Sequence, residues 1–322
     1  MVAQALIPVR VTHKASEATG IASFDLVAAN GAALPAFGAG AHIDVHLPGG
    51  LARQYSLCNA PTETGHYRIA VLHGAASRGG ARAMHQAVTV GQVLQISPPR
   101  NLFGLAAGAQ RHLLLAGGIG VTPMLAMAAQ LAADGAEFAL HYCTRSPDRT
   151  AFVGALQRSG FGPQVQHHFD DGDPAQRLDL PALLGTPQAG THVYVCGPQG
   201  FMGAVLATAR AAAWPEAQLH TESFGAAPAA LTGACAFEVQ LNRSGRVVPV
   251  LAGQTVVVAL ASAGVDIATS CGQGICGTCL TRVLAGEIDH RDQYLLADEQ
   301  AAMDQFLPCC SRALSARLVL DL

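Results

Sequence analysis

Three cysteines crowd into one short loop near the end of this chain, Cys271-Gly-Gln-Gly-Ile-Cys276-Gly-Thr-Cys279. No other feature restricts the fold so severely, because three thiols sharing one loop need a common electrophile. The spacing C-x4-C-x2-C, followed by a distant fourth cysteine, is that of a [2Fe-2S] cluster. Cys309 and Cys310 both offer the fourth ligand. Gly272, Gly274 and Gly277 let the backbone wrap tightly around an anionic cluster and aim N–H groups at its sulfurs. A structural zinc site instead pairs its ligands as two short C-x2-4-C units. Inert buried cysteines rarely gather in a glycine loop. The metal expectation is therefore iron and sulfide.

The rest of the chain bounds the setting. Its 322 residues are too many for one ordinary domain, and half are apolar, enough for more than one core. A formal charge of −3 argues against nucleic acid as a partner, which would need a basic surface. Nine cysteines in a chain this long fit metal binding in a reducing compartment better than a disulfide scaffold. No basic segment with an apolar run opens the sequence between Met1 and Asp25, so a cytoplasmic location is expected. Leu113 to Ala133 carries no charge but is broken by Gly117-Gly118-Ile119-Gly120 and Thr122-Pro123. An apolar strand, a glycine turn and a helix explain it better than a membrane span.

Periodicity divides the chain into three domains. Residues 1–104 read as short strands bounded by Gly, Pro or Asn: Leu6 to Val11, Ile43 to Leu47, Tyr67 to Val71 and Val93 to Ile96. That pattern predicts a small antiparallel barrel. From 105 to 224, strands alternate with helix-length segments. The strands are His112 to Ala116, Glu137 to Tyr142, Val165 to Phe169 and His192 to Val195; helices are expected to Ala133, from Ala151 to Arg158 and from Gly200 to Ala212. The alternation predicts an α/β domain with a parallel sheet. Residues 225–234, small and uncharged, read as a linker, and 235–322 form the cysteine-bearing domain.

Other motifs are weaker singly. In Arg53-Gln54-Tyr55-Ser56-Leu57 the Arg and Tyr would share one face of a strand, where a guanidinium could pair with phosphate and the aromatic could pack on a planar ring. A surface Arg and a core Tyr would look the same. Ser77-Arg78-Gly79-Gly80-Ala81 precedes a helix-like stretch, and unpaired N–H groups there would favour an anion. Gly117 to Pro123 lies between a strand and a helix, the arrangement that holds a pyrophosphate, although it is not a strict GxGxxG. Cys196-Gly197-Pro198 falls at the carboxyl edge of the sheet, where open α/β sheets bind ligands. A plain turn would explain either of these two.

Taken in this order, the motifs resemble the ferredoxin-reductase superfamily. With the C-terminal cysteine loop, which is similar to plant-type ferredoxins, they resemble the phthalate dioxygenase reductase and vanillate demethylase reductase family over essentially the whole chain. The resemblance implies a flavin-binding β-barrel, an NAD-binding α/β domain and a β-grasp ferredoxin domain. It implies that Arg53, Tyr55, Ser56 and Leu57 hold flavin and that Gly79, Gly80 and Ala81 receive its phosphate. Gly118, Gly120, Thr122 and Pro123 would line the nicotinamide nucleotide site, with Cys196, Gly197 and Pro198 near the nicotinamide. The Glu222-Ser223-Phe224 match would set Phe224 against the flavin ring. Cys196, Phe224 and Ser56 would thus be the side chains nearest the redox chemistry. The Cys309-Cys310-Ser311-Arg312 ending is similar to a Cys-x-Ser-Arg motif, which implies Cys271, Cys276, Cys279 and Cys309 as cluster ligands. FMN, rather than FAD, is implied by the resemblance, as is NADH. Asp170 and Asp171 would repel a 2′-phosphate, while Arg145 and Arg149 pull the other way.

A nicotinamide gives two electrons as hydride, an iron–sulfur cluster takes one at a time, and a flavin converts between them. The implied partner is a terminal Rieske non-haem iron oxygenase of the aromatic-ring dioxygenase or O-demethylase type. This chain shows neither a Rieske signature nor a 2-His-1-carboxylate set. A free-standing flavin reductase with an incidental cluster is the rival enzyme. A redox-sensing regulator would need a helix-turn-helix and a basic face, and neither is visible.

Overall fold

The computed structural model describes residues 6–47, 51–74, 79–224, 235–269, 272–274, 277–292, 294–295 and 297–322. Packing divides the chain into two compact units, Met1–Phe224 and Gly225–Leu322.

The first unit opens with β1 (Ile7–Ala18), β2 (Ile21–Ala28), β3 (His42–Leu47), β4 (Leu51–Ser56), β5 (Tyr67–Leu72), helix α1 (Gly80–Gln86) and β6 (Val93–Ile96). The six strands form an antiparallel sheet in the order β4-β3-β6-β1-β2-β5. A further bridge between Leu57, just past β4, and Ile69 of β5 joins the two edges, so the sheet closes on itself as a barrel. Inward positions alternate along each strand. Val9 and Val11, Ile43 and Val45, and Ile69 are fully buried in the barrel core.

An alternating α/β segment follows. It runs β7 (Arg111–Gly117), a 3₁₀ turn (Gly118–Gly120), α2 (Val121–Ala133), β8 (Glu137–Thr144), α3 (Val153–Arg158) and β9 (Val165–Phe169). It continues with α4 (Leu180–Leu184), β10 (Thr191–Cys196), α5 (Gln199–Ala211) and β11 (Leu219–Glu222). All neighbours in the sheet β11-β10-β7-β8-β9 are parallel. Both faces are covered, as a parallel sheet requires. Leu113, Leu115, Val193 and Val195 pack with Met202, Val205 and Trp214 on one side. On the other, Leu114, Tyr142 and Tyr194 pack with α2 and also with Ile21, Ala70 and Phe103. That second core joins barrel and parallel sheet, which is why they form one compact unit. The uncharged stretch from Leu113 to Ala133 is β7, the turn and α2, and no helix among the described residues is long and apolar enough to cross a membrane.

The second unit contains β12 (Phe237–Leu241), β13 (Val247–Val250), α6 (Val256–Ser262), β14 (Thr281–Ala285), β15 (Ile288–Asp289), α7 (Ala297–Ala301), β16 (Gln305–Phe306), β17 (Arg312–Ala313) and β18 (Arg317–Leu320). Its main sheet is mixed, in the order β13-β12-β18-β14-β16, with β12 and β18 parallel. Val256 and Leu260 of α6 pack against Val239, Val250, Phe306 and Leu318. Arg312, 1% exposed, donates to the carbonyls of Cys235 (3.0 Å), Leu251 (3.1 Å) and Gln254, with its guanidinium 5.0 Å from the centre of the Phe237 ring. This buried cation is satisfied by carbonyl dipoles and a ring face. The expected fold class, an antiparallel β-barrel, an α/β domain with a parallel sheet and a C-terminal β-grasp domain, is the one observed.

Candidate functional site

Strand β4 and helix α1 build one wall of a cleft of about 310 Å³ in the first unit. Arg53, Tyr55, Ser56, Gly80 and Ala81 line it, joined by Ile119 and Thr122 from the turn after β7 and by Phe224. Positions as far apart in sequence as 53 and 224 thus face one another. Gly79 caps α1 with φ +89, and a Cβ on Gly80 would lie 2.5 Å from Arg53 Cγ and 2.7 Å from its Nε. Only glycine lets the guanidinium stem cross the start of the helix. A cation over a helix start, next to an aromatic ring, is a set of groups suited to a planar ligand with a phosphate tail. Phe224 remains 40% exposed at the rim.

Behind β4 lies a polar pair. Ser56 Oγ donates to Glu222 Oε2 at 3.0 Å, the carboxylate coming from the end of β11. Burial pushes the Glu222 carboxyl up to about 7, against the lowering effect of the Ser56 hydrogen bond. Cys196, beside Glu222 in the sheet register, is fully buried, and its thiol is pushed well up by burial and by the Glu222 charge. It is therefore a protonated thiol, not a thiolate.

The two glycine motifs meet at the carboxyl edge of the parallel sheet. A Cβ on Gly197 would lie 2.8 Å from Gly117 Cα, and one on Gly120 would collide with the Cys196 carbonyl. Pro198 is exposed, Gly118 half-buried, and Gly120, Thr122 and Pro123 buried. Thr122 Oγ1 donates to Ile119 O at 3.0 Å and fixes the turn.

Not every expected residue faces the cleft. Leu57 is fully buried in the barrel core: it lies one residue past the end of β4, where it bridges to Ile69 of β5. Gly79 shapes the start of α1 without lining the cleft. Ser77 and Arg78 lie outside the described residues. Sequence reasoning missed Ile119, Leu72 and Gly74 as lining residues. It also missed His42, buried behind Ser56 and cross-strand from it. Alternation along β3 gave no signal for His42, since it places that residue on the face of Asp44 and His46, opposite Ile43 and Val45.

In the second unit, Cys279, Cys309 and Cys310 are buried in one cluster with Tyr294, Leu295 and Leu307. Cys271 and Cys276 lie outside the described residues. Gly272, Gly274 and Gly277 have φ of +67, +75 and +69, which L side chains rarely adopt. A Cβ on Gly274 would meet Cys310 Sγ, and one on Gly277 would meet the Tyr294 ring. The loop is thus pressed against the segment that carries Cys309. Such a glycine-bearing loop beside buried cysteines fits a 2Fe-2S cluster.

Comparison with known proteins agrees with this geometry. Residues 239–314 match the 2Fe-2S iron-sulfur cluster binding domain, and residues 92–219 match the N-terminal domain of dimethylamine monooxygenase subunit DmmA-like proteins. A vanillate O-demethylase oxidoreductase from Pseudomonas sp. (strain HR199 / DSM 7063) is 53% identical, covering 98% of this chain and all of the relative. A solved phthalate dioxygenase reductase, described as a modular structure for electron transfer from pyridine nucleotides to [2Fe-2S], is 40% identical with a TM-score of 0.72 and covers 98% of both chains. The chain belongs to the phthalate dioxygenase reductase and vanillate O-demethylase oxidoreductase family. As a member of this reductase family it is an oxidoreductase with a 2Fe-2S domain. A self-sufficient type IV cytochrome P450 monooxygenase contains the same arrangement, at TM-score 0.85 and 40% identity. The present chain spans 98% of its own length but only 41% of that larger protein.

Proposed function

We propose that this chain is the reductase component of a two-component oxygenase system, carrying electrons from NADH through FMN and a [2Fe-2S] cluster to a terminal Rieske non-haem iron oxygenase. In this reading residues 1–104 are the flavin barrel, 105–224 the nucleotide domain, 225–234 the linker and 235–322 the ferredoxin domain. The observation that carries it is the cleft in which Arg53, Tyr55, Ser56, Gly80, Ala81 and Phe224 converge from distant parts of the sequence.

When bound, the flavin and the cluster supply the conversion of a hydride pair into single electrons. The protein's own groups bind, orient and hold protons. Arg53 and the start of α1 would hold the phosphate, with Tyr55 and Phe224 as ring faces for the isoalloxazine. Ser56, oriented by Glu222, presents its hydroxyl to the cleft wall. The buried Cys196 thiol, kept neutral, gives an uncharged floor beside the nicotinamide. Asp170 and Asp171 follow β9, with backbone N–H groups held by Thr144 O and Arg145 O at the carboxyl edge of the sheet. Their charge there supports NADH over NADPH. Cys271, Cys276, Cys279 and Cys309 would ligate the irons, leaving Cys310 as a packing neighbour of the loop.

Replacing a cluster ligand tests the electron path. Cys276→Ser should cut NADH-driven cytochrome c reduction by at least about tenfold while leaving flavin reduction by NADH intact. Undiminished cytochrome c reduction would mean that electrons leave from the flavin.

A further inference from the structure

His42 is a buried histidine that the functional reading above does not use. It lies on β3 directly opposite Ser56 of β4 in the register, with 3% of its side chain exposed. Its backbone is paired with Arg100 in both directions, which fixes the residue at the end of the strand. Both ring nitrogens are buried and lack a hydrogen-bond partner. A structural core histidine ordinarily satisfies at least one nitrogen, so two orphans in one ring are costly. Its Nδ1 lies 4.0 Å from Glu222 Oε1, the oxygen that Ser56 does not take. About 1 Å of closure would make a hydrogen bond.

We propose that His42 is a positioning residue for the redox cleft: its Nδ1–H governs the charge and orientation of the Glu222 carboxylate and, through it, the Ser56 hydroxyl. This rests on the proposed flavin site beside Ser56. Groups facing this corner come from each surrounding element: Ser56 on β4, Glu222 on β11, Cys196 on β10 and Arg100 after β6. Burial, reinforced by the Arg100 charge, pushes the His42 imidazole down to about 4. At neutral pH the ring is therefore uncharged, and it acts as a hydrogen-bond donor, not as a counter-ion. Its tautomer follows from the Glu222 carboxylate oxygen 4.0 Å from Nδ1. A donor aimed at the charged carboxylate favours ionisation, opposing the burial that holds the Glu222 carboxyl near 7. The corner is thus balanced so that Glu222 changes charge close to neutral pH.

The test reads Glu222 itself. Infrared titration of the carboxyl in flavin-free protein, assigned by Glu222→Gln, should give a midpoint below about 7 in the parent chain, since burial and the Ser56 hydrogen bond alone put the carboxyl at about 7. His42→Phe removes both nitrogens and should raise that midpoint by about one pH unit or more, as loss of one hydrogen bond to a buried carboxylate does. His42→Asn keeps an N–H donor and should bring it most of the way back. In flavin-loaded protein, the pH limb of NADH-driven flavin reduction should move with the carboxyl. As a check that needs no folded His42 variant, ¹⁵N shifts of the His42 ring should respond to the Glu222 titration and lose that response in Glu222→Gln. An unmoved carboxyl midpoint in His42→Phe, or ¹⁵N shifts indifferent to Glu222, would overturn the proposal, as would a moved midpoint with an unmoved rate limb. Failure of the flavin site itself would show separately, as absence of flavin binding in the parent chain.

Discussion

Arg53 can cross the start of α1 only because position 80 has no side chain. A methyl group there would sit within 2.7 Å of the Arg53 Nε. Gly80→Ala should therefore displace the guanidinium and weaken FMN binding about tenfold, roughly the value of one charge-assisted contact. Fluorescence titration of flavin-free protein would measure it, and unchanged affinity would remove Arg53 from the phosphate site. At this scale the sequence was partly legible. The two-residue spacing of Arg53 and Tyr55 correctly put both on the cleft. Leu57, which alternation would put on the same face, lies past the end of β4 and is taken into the barrel core where the sheet closes on Ile69. The Ser56–Glu222 hydrogen bond joins residues from two sheets, and no local pattern announces such a pair. The cysteine loop was the most readable element, since ligand spacing is itself a sequence property.

Among the elements, α1 is short and depends on a support from outside itself. Lys14 of β1, the only lysine in the sequence, donates to the carbonyls of His85 (2.7 Å), Val88 (2.8 Å) and Met84 (3.3 Å). It thus caps the carboxyl end of the helix whose other end lines the cleft, with its ammonium 5.4 Å from the centre of the Phe24 ring. Lys14→Met keeps the stem and removes the donors. It should cost about 1–3 kcal/mol in denaturant unfolding and loosen flavin binding at the same time. A loss of stability alone would leave the cap with no bearing on the site. Elements hidden from the sequence have physical reasons to be so. Strand β2 buries its first four residues without alternation, since Ile21 faces the core shared with the parallel sheet while Ala22 and Phe24 face the barrel core. Strand β11 is four residues of mostly polar character, Leu-His-Thr-Glu, at a sheet edge. Longer strands such as β7 and β10 were visible because their apolar or β-branched runs end at glycine turns.

Among the described residues, the histidines that burial shifts lie in the first unit and set its response to acid. His42 and His141 are both held down to about 4, mainly by burial, from an ordinary value of 6.5. Between those limits the unfolded chain binds protons that the folded one refuses, so stability falls as pH drops from about 6.5 toward 4. Glu222 works oppositely: raised from 4.5 to about 7, it keeps a proton in the folded state and partly offsets the loss. Calorimetry of flavin-free protein should show the melting temperature of the first unit falling across that window. The fall should be steeper in Glu222→Gln, and a flat profile would mean the histidines are solvated. The broad fold was legible at this scale because the change from short bounded strands to strand–helix alternation near 105 is a change of hydrophobic period. The core shared by barrel and parallel sheet was not, since Ile21, Ala70 and Phe103 meet α2 only in three dimensions. The most direct test of the electron path is an anaerobic NADH titration followed by visible absorbance, on protein assayed for iron and acid-labile sulfide. Flavin bands and a cluster shoulder that bleach together, with iron and sulfide in equal amounts, are expected. Zinc in place of iron, or a spectrum without flavin, would contradict it.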